Sequence, residues 1–101
     1  MNATDLNLPQ LEKDIDQIHN QFCYALREPV RIMMLFLLGE KNRYVNEMAE
    51  ILCIPQSTAS RHLAILRERG LVTTQRQGTS ILYSIADARI IHILNEMRSI
   101  I

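Results

Sequence analysis

The chain has 101 residues, enough for one domain and little more. Hydrophobic residues make up 48% and aromatics 5%, with three glycines and three prolines, which excludes a many-turned β-sandwich and points to a helical core of Leu, Ile and Met. Eleven bases balance eleven acids, so net charge alone gives no sign of a polyanion partner. The distribution says more. Residues 1–20 set four acids against one base, a net −3, while residues 57–80 set four arginines against Glu68, a net +3. A cationic segment beside an acidic end suits a polyanion-binding surface, although a solvated face of scattered charge gives the same count.

No apolar run approaches the ~20 residues that span a bilayer. The start MNATDLNLPQ has neither a basic nor an apolar signal region, so no signal peptide is expected. Two cysteines without an export signal suggest free thiols in a reducing cytoplasm.

The first apolar series is Leu8, Leu11, Ile15, Ile18, Phe22 and Ala25, spaced alternately by three and four, which predicts a helix over 8–26 with one apolar stripe. Arg27-Glu28-Pro29 interrupts it, and Pro29 suits the first position of a second helix. That helix, VRIMMLFLL, is apolar almost all round and should be the core helix, ending at Gly39. EKNRY reads as a polar loop. Val45, Met48, Ala49 and Leu52 mark a short third helix, broken at Cys53-Ile54-Pro55-Gln56. Ser57 can cap a fourth helix, whose inward stripe is Ala59, Leu63 and Leu66 and which Gly70 ends. The period then falls to two. LVTTQ and SILYSI read as strands joined through Arg76-Gln77-Gly78-Thr79, with Gly78 supplying a positive φ. Ile90, Leu94, Met97 and Ile101 stripe a closing helix that starts near Asp87. Met33, Met34 and Met48 fall on helices expected to be buried.

Two short helices joined by a tight turn make a helix-turn-helix, and a hairpin directly after it makes a winged helix. The fold class is mainly α with a small β-hairpin, in the order α-α-α-α-β-β-α. One domain spans 1–101, with the helix-turn-helix at 45–69 and the wing at 71–85. The second helix of such a motif leads into the major groove with its first turn, which needs short polar side chains and one or two long cations. Gln56, Ser57, Thr58, Ser60, Arg61 and His62 supply them, and the free N–H groups of that turn favour a phosphate. Arg76 and Gln77 would reach a neighbouring groove or backbone from the wing. An ordinary capped surface helix and a solvated turn are the plainer readings of the same residues.

QSTASRHLAILRERGLV followed by RQGTSILYSI resembles the ArsR/SmtB pattern of Ser-x-x-Ser-x-His-Leu, Leu-Arg-x-x-Gly-Leu-Val, an arginine-bearing wing turn and a Tyr-Ser strand. ALREPVRIMML is similar to that family's Ala-Leu-x-x-Pro-x-Arg segment, and the likeness covers roughly residues 22–87. The resemblance implies a homodimeric repressor whose partners are a second copy and double-stranded DNA with a palindromic operator. It also implies that the helices at 8–26 and 87–101 form the dimer interface, through Leu11, Ile15, Ile18, Phe22, Ile90, Leu94 and Met97.

The family's effectors do not carry over in the same way. The Cys-x-Cys of its arsenic and cadmium type would fall in RYVNEMAE, which holds no cysteine. Of its zinc and nickel set, Asp87 matches, but Arg89 stands where a histidine is expected. His92 and Glu96 share a face at i, i+4, so Asp87, His92 and Glu96 are weak metal candidates, too few to define a site; no cofactor is certain, and a metal ion stays open as the lesser alternative. Cys23 and Cys53 match no sulfur-sensing pair. They read either as small buried apolar residues or as a thiol switch, in which modification of Cys53 would shift the fourth helix. The rival class is a winged helix used for protein contact without specific DNA binding. An enzyme would need a phosphate loop or a nucleophile–base pair, and the sequence has neither.

Overall fold

A computed structural model describes residues 3–101; residues 1 and 2 of the expected 1–101 domain lie outside the described ones. Helix α1 (Leu8–Ile18) runs through a wider π turn, His19–Cys23, into α2 (Tyr24–Leu26), so one continuous rod covers the first apolar stripe. Asn7 caps the rod, its side chain accepting from the N–H of Gln10, and Pro9 fits the first turn, where no N–H is needed. Helix α3 (Pro29–Glu40) follows, then strand β1 (Arg43–Tyr44), α4 (Val45–Leu52), α5 (Gln56–Glu68), β2 (Val72–Gln77), β3 (Ser80–Ile85) and α6 (Ala88–Ser99).

The core forms around α3. Met34, Leu35 and Leu38 meet Met48 and Ala49 of α4, Ala59, Leu63 and Leu66 of α5, Leu71 and Val72 of β2, Tyr83 of β3, and Ile90 and Leu94 of α6. Met33 is the exception among the methionines expected inside, for it faces outward.

The hairpin has an unbroken antiparallel register from Val72 opposite Ile85 to Gln77 opposite Ser80. Gly78 and Thr79 alone make the turn. The positive φ of Gly78 (64°) meets the demand of a two-residue hairpin turn, and Arg76 and Gln77 belong to strand β2 rather than to the turn. The expected two-stranded wing is part of a three-stranded sheet in the order β1-β3-β2, because Arg43 and Tyr44 from the polar loop pair with Tyr83 and Leu82. An open edge on β3 would leave backbone groups unpaired, and two residues suffice to cover it there.

Gly39 does not end α3. It lies inside the last turn, which Lys41 closes in extended backbone while Arg43 donates to the carbonyl of Leu37 (3.0 Å). The glycine instead allows α6 to approach, since a Cβ there would lie 2.8 Å from Cγ1 of Ile91. That contact explains a second departure. Ile90 and Leu94, expected on a dimer interface, are buried in their own protomer (8% and 5% exposed), because α6 lies against α3 on that stripe. The apolar residues that α6 leaves exposed are Ile93, Met97 and Ile100.

The rod behaves differently. Helix α1 buries no residue, and Leu8, Ile15 and Ile18 stand about half exposed along it. It lengthens the protomer to 60 Å against widths of 29 and 21 Å, and the radius of gyration of 16.2 Å exceeds the ~13 Å usual for such a chain.

Gly39→Ala should therefore lower stability by about 1–3 kcal/mol through overpacking, although alanine normally improves a helix. Thermal unfolding checks this, at about 4–8 °C of Tm per kcal/mol. In an Ile91→Ala background the same change should be neutral or stabilising.

Candidate nucleic-acid interface

Helix α4 ends at Cys53, whose left-handed backbone (φ 55°) turns the chain through Ile54 and Pro55 into α5. Few residues other than glycine accept that conformation, and the tight turn depends on it. Helix α5 begins at Gln56, two residues earlier than a cap at Ser57 implies. Pro55 holds the N-cap with no side-chain hydrogen bond, so Ser57 is not the cap and its side chain is exposed within the first turn. An uncapped first turn keeps its N–H groups available, with the positive end of the helix dipole behind them.

Ala59, His62, Leu63 and Leu66 are the buried residues of α5, a stripe at i, i+3, i+4 and i+7. Gln56, Ser57, Ser60 and Arg61 are thereby gathered on the exposed side, with Ala64 and Arg67 a turn further on, and Thr58 is half-buried. His62 is the correction to the expected outward set. It is 9% exposed, and its Nδ1 accepts a 3.1 Å hydrogen bond from Nη1 of Arg31. Burial, with Arg31 and Arg61 nearby, holds its pKa below the ordinary 6.5, and Glu28 opposes this weakly.

On the wing, Arg76 and Gln77 are exposed, opposite Ile81 and Ser80. Between the wing and α5 lies an open cleft of about 450 Å³. Tyr44, Asn46, Gln56, Ser60, Thr79 and Ser80 give it an uncharged polar wall. Sequence reasoning found Gln56 and Ser60 but missed the rest, because the two-residue strand that brings Tyr44 to the cleft has no periodicity to read.

Two arginines serve helix ends, and a third braces the π turn from the end of α5. Arg31 (3% exposed) donates to the carbonyls of Ala25 (2.7 Å) and Tyr24 (3.1 Å), and Arg43 closes α3. Arg69 donates to the carbonyl of Asn20 (2.8 Å) in the π turn and stacks over the Tyr24 ring at 4.1 Å. The cations left outward on α5 and the wing are Arg61, Arg67 and Arg76.

Cys23 and Cys53 are free and exposed, which removes the reading of both as buried apolar residues. Cys23 lines a small hollow with His19, Tyr24, Arg27 and Arg69. Asp87 caps α6 through the N–H of Arg89 (2.9 Å), and both its oxygens accept from the Arg89 guanidinium. These bonds hold its pKa at about 2. A metal taking Asp87 would have to displace that arginine. Among the described residues, no three histidine, cysteine or carboxylate side chains are grouped to hold a metal ion. No helix among them is long and apolar enough to cross a membrane.

Comparison with known proteins places this geometry. Residues 28–74 match the family model of the bacterial regulatory proteins of the arsR family. The HTH-type transcriptional repressor SmtB of Mycobacterium tuberculosis is 43% identical over 70 residues, 69% of this chain and 52% of SmtB. The chain thus spans about half the length of that relative. The biofilm growth-associated repressor of Xylella fastidiosa is 32% identical over 89% of this chain and 78% of its own length. Among solved structures, the homodimeric winged helix-turn-helix DNA-binding domain of Mb0332 from Mycobacterium bovis superposes with a TM-score of 0.74 at 26% identity, covering 98% and 91% of the two chains.

The Asp87–Arg89 pair gives a pH-dependent expectation. Asp87 is more acidic when folded than its ordinary 3.8, so its stabilisation is present above that value and vanishes as pH falls through about 2. Asp87→Ala should lower Tm near neutrality, and the difference from the unaltered protein should shrink across that interval in a melting series.

Proposed function

The chain belongs to the arsR family of bacterial regulatory proteins, and we propose that it is a homodimeric, DNA-binding transcriptional repressor acting in the cytoplasm. One observation carries the reading. The outward face of α5 is a polar and cationic strip, led by an uncapped first turn and flanked by the wing. Gln56, Ser57, Ser60 and Arg61, with Thr58 at the margin, would read base edges in the major groove. Arg76 and Gln77 would hold the adjoining backbone. Arg67, exposed further along α5, would take a phosphate.

Dimerisation completes the reading. The apolar residues exposed along α1 and α6 need a partner surface, and a second copy of the same surface fits by two-fold symmetry. Leu11, Ile15, Ile18, Phe22 and Met97 would contribute, joined by Ile93 and Ile100, while Ile90 and Leu94 support the interface from within. Release from a palindromic operator follows binding of a small effector or modification of an exposed thiol. Cys53 holds the strained turn before α5, where an added group would press on the helix.

Two experiments test this. Arg61→Ala should weaken binding to duplex DNA from upstream of the protein's own gene by about 1–3 kcal/mol. For the unaltered protein, log affinity should fall against log salt with a slope near −0.9 per phosphate neutralised. Fluorescence anisotropy reads both, and unchanged affinity or a flat salt curve overturns the assignment. Separately, Ile18→Asp or Ile93→Asp should give monomers in sedimentation, because each site is half exposed in the protomer (51% and 53%) and its own core stays intact. Persistent dimers would exclude this interface.

A further inference from the structure

The buried pair formed by Arg31 and His62 has no part in the outward face of α5, yet it joins that helix to the rod. From one guanidinium on α3, Nε donates to the carbonyl of Ala25 (2.7 Å), Nη2 to the carbonyl of Tyr24 (3.1 Å) and Nη1 to Nδ1 of His62 (3.1 Å). The first two partners end the α1–π–α2 rod, and the third lies on α5. A guanidinium has donors only and stays charged. Nδ1 must therefore offer its lone pair, which fixes His62 as neutral imidazole with its proton on Nε2. Protonation at Nδ1 removes the acceptor and sets two cations against each other at hydrogen-bond distance where little water reaches.

We propose that His62 is a positioning residue: while neutral it latches α5 to the end of the rod through Arg31, and its protonation uncouples the DNA-reading helix from the dimerisation helix. This rests on the DNA-binding reading above and adds a means of control to it. The surrounding charges leave the histidinium poorly supported. Arg31 faces it from α3, Arg61 lies beside it on α5, and the Tyr24 ring at the end of the rod carries Arg27, Arg31 and Arg69. Glu28, at the start of α3, is the one group acting in the opposite sense. Ala59, Leu63 and Leu66 keep α5 in the core when the latch opens. What is lost is orientation rather than the fold.

The sign of the effect separates a latch from an ordinary histidine. Positive charge added on an exposed face draws DNA closer. The latch predicts loss. The test compares the full-length protein with His62→Asn, whose side-chain oxygen can accept from Arg31 but does not titrate. Affinity for the upstream duplex is measured from well above to well below pH 6.5, with nitrogen-15 NMR following the His62 ring. NMR should show the Nε2–H form at neutral pH. Unaltered protein should lose up to about tenfold in affinity per pH unit for each His62 that protonates, and His62→Asn should hold or gain affinity. An Nδ1–H ring, affinity that holds or rises while His62 protonates, or an equal loss in His62→Asn overturns the latch. If no DNA is bound at any pH, the repressor reading fails instead. The latch is then decided by hydrogen-exchange protection of α5 amides, which should fall with His62 protonation in the unaltered protein alone; equal protection in both proteins overturns it. Should His62→Asn fail to fold, the NMR, affinity and exchange profiles of the unaltered protein still decide.

Discussion

Arg31 has three donor positions facing protein, and each meets an acceptor: two carbonyls at the end of the long rod and one imidazole nitrogen on α5. Charged hydrogen bonds of this kind are worth about 1.5–3 kcal/mol each, and leaving any partner bare in the interior costs on the same scale. Helix ends expose carbonyls that cannot be satisfied within the helix. A buried guanidinium answers that need for the rod and points its remaining arm at α5. Arg69 repeats the logic from the other side, taking the Asn20 carbonyl in the π turn. The rod and α5 are thus joined by two arginines.

This coupling matters because, on the proposed reading, the two helices face different partners. Helix α1 projects from the body and buries nothing within its protomer. An apolar stripe half in water is costly to a small domain and useful only when covered. In the proposed symmetric pair, each rod would cover the other and would fix the distance and angle between two α5 helices. Half-site spacing on DNA is a geometric consequence of that arrangement. On the proposed reading, a proton on His62 would act on that spacing without touching a base.

Much of the fold was legible because its helices obey simple periods. The alternating three-and-four spacing from Leu8 to Ala25, the all-round apolar α3 and the change of period after Gly70 each follow from which faces can be buried. Gly78 was readable from turn chemistry. Other features depend on contacts between distant segments and leave no local trace. Strand β1 exists because β3 has an edge to cover. Gly39 is small because Ile91 arrives from fifty-two residues away. Ile90 and Leu94 carry a heptad-like stripe that serves a core as well as it would serve an interface, and spacing cannot tell the two apart. His62 lies among polar neighbours and was grouped with them. Its burial follows from falling three residues after Ala59 and opposite an arginine that sequence could not place. The exposed thiols run against type, since free cysteine is among the most often buried residues.

The central claim is that paired copies present two α5 faces to one duplex. The most direct measurement is the stoichiometry and specificity of the unaltered protein on the DNA upstream of its own gene, titrated by anisotropy against a scrambled duplex of equal length. The account predicts two chains per site and binding roughly a thousandfold or more tighter than to the scrambled sequence. One chain per duplex, or equal affinity for both sequences, would contradict it.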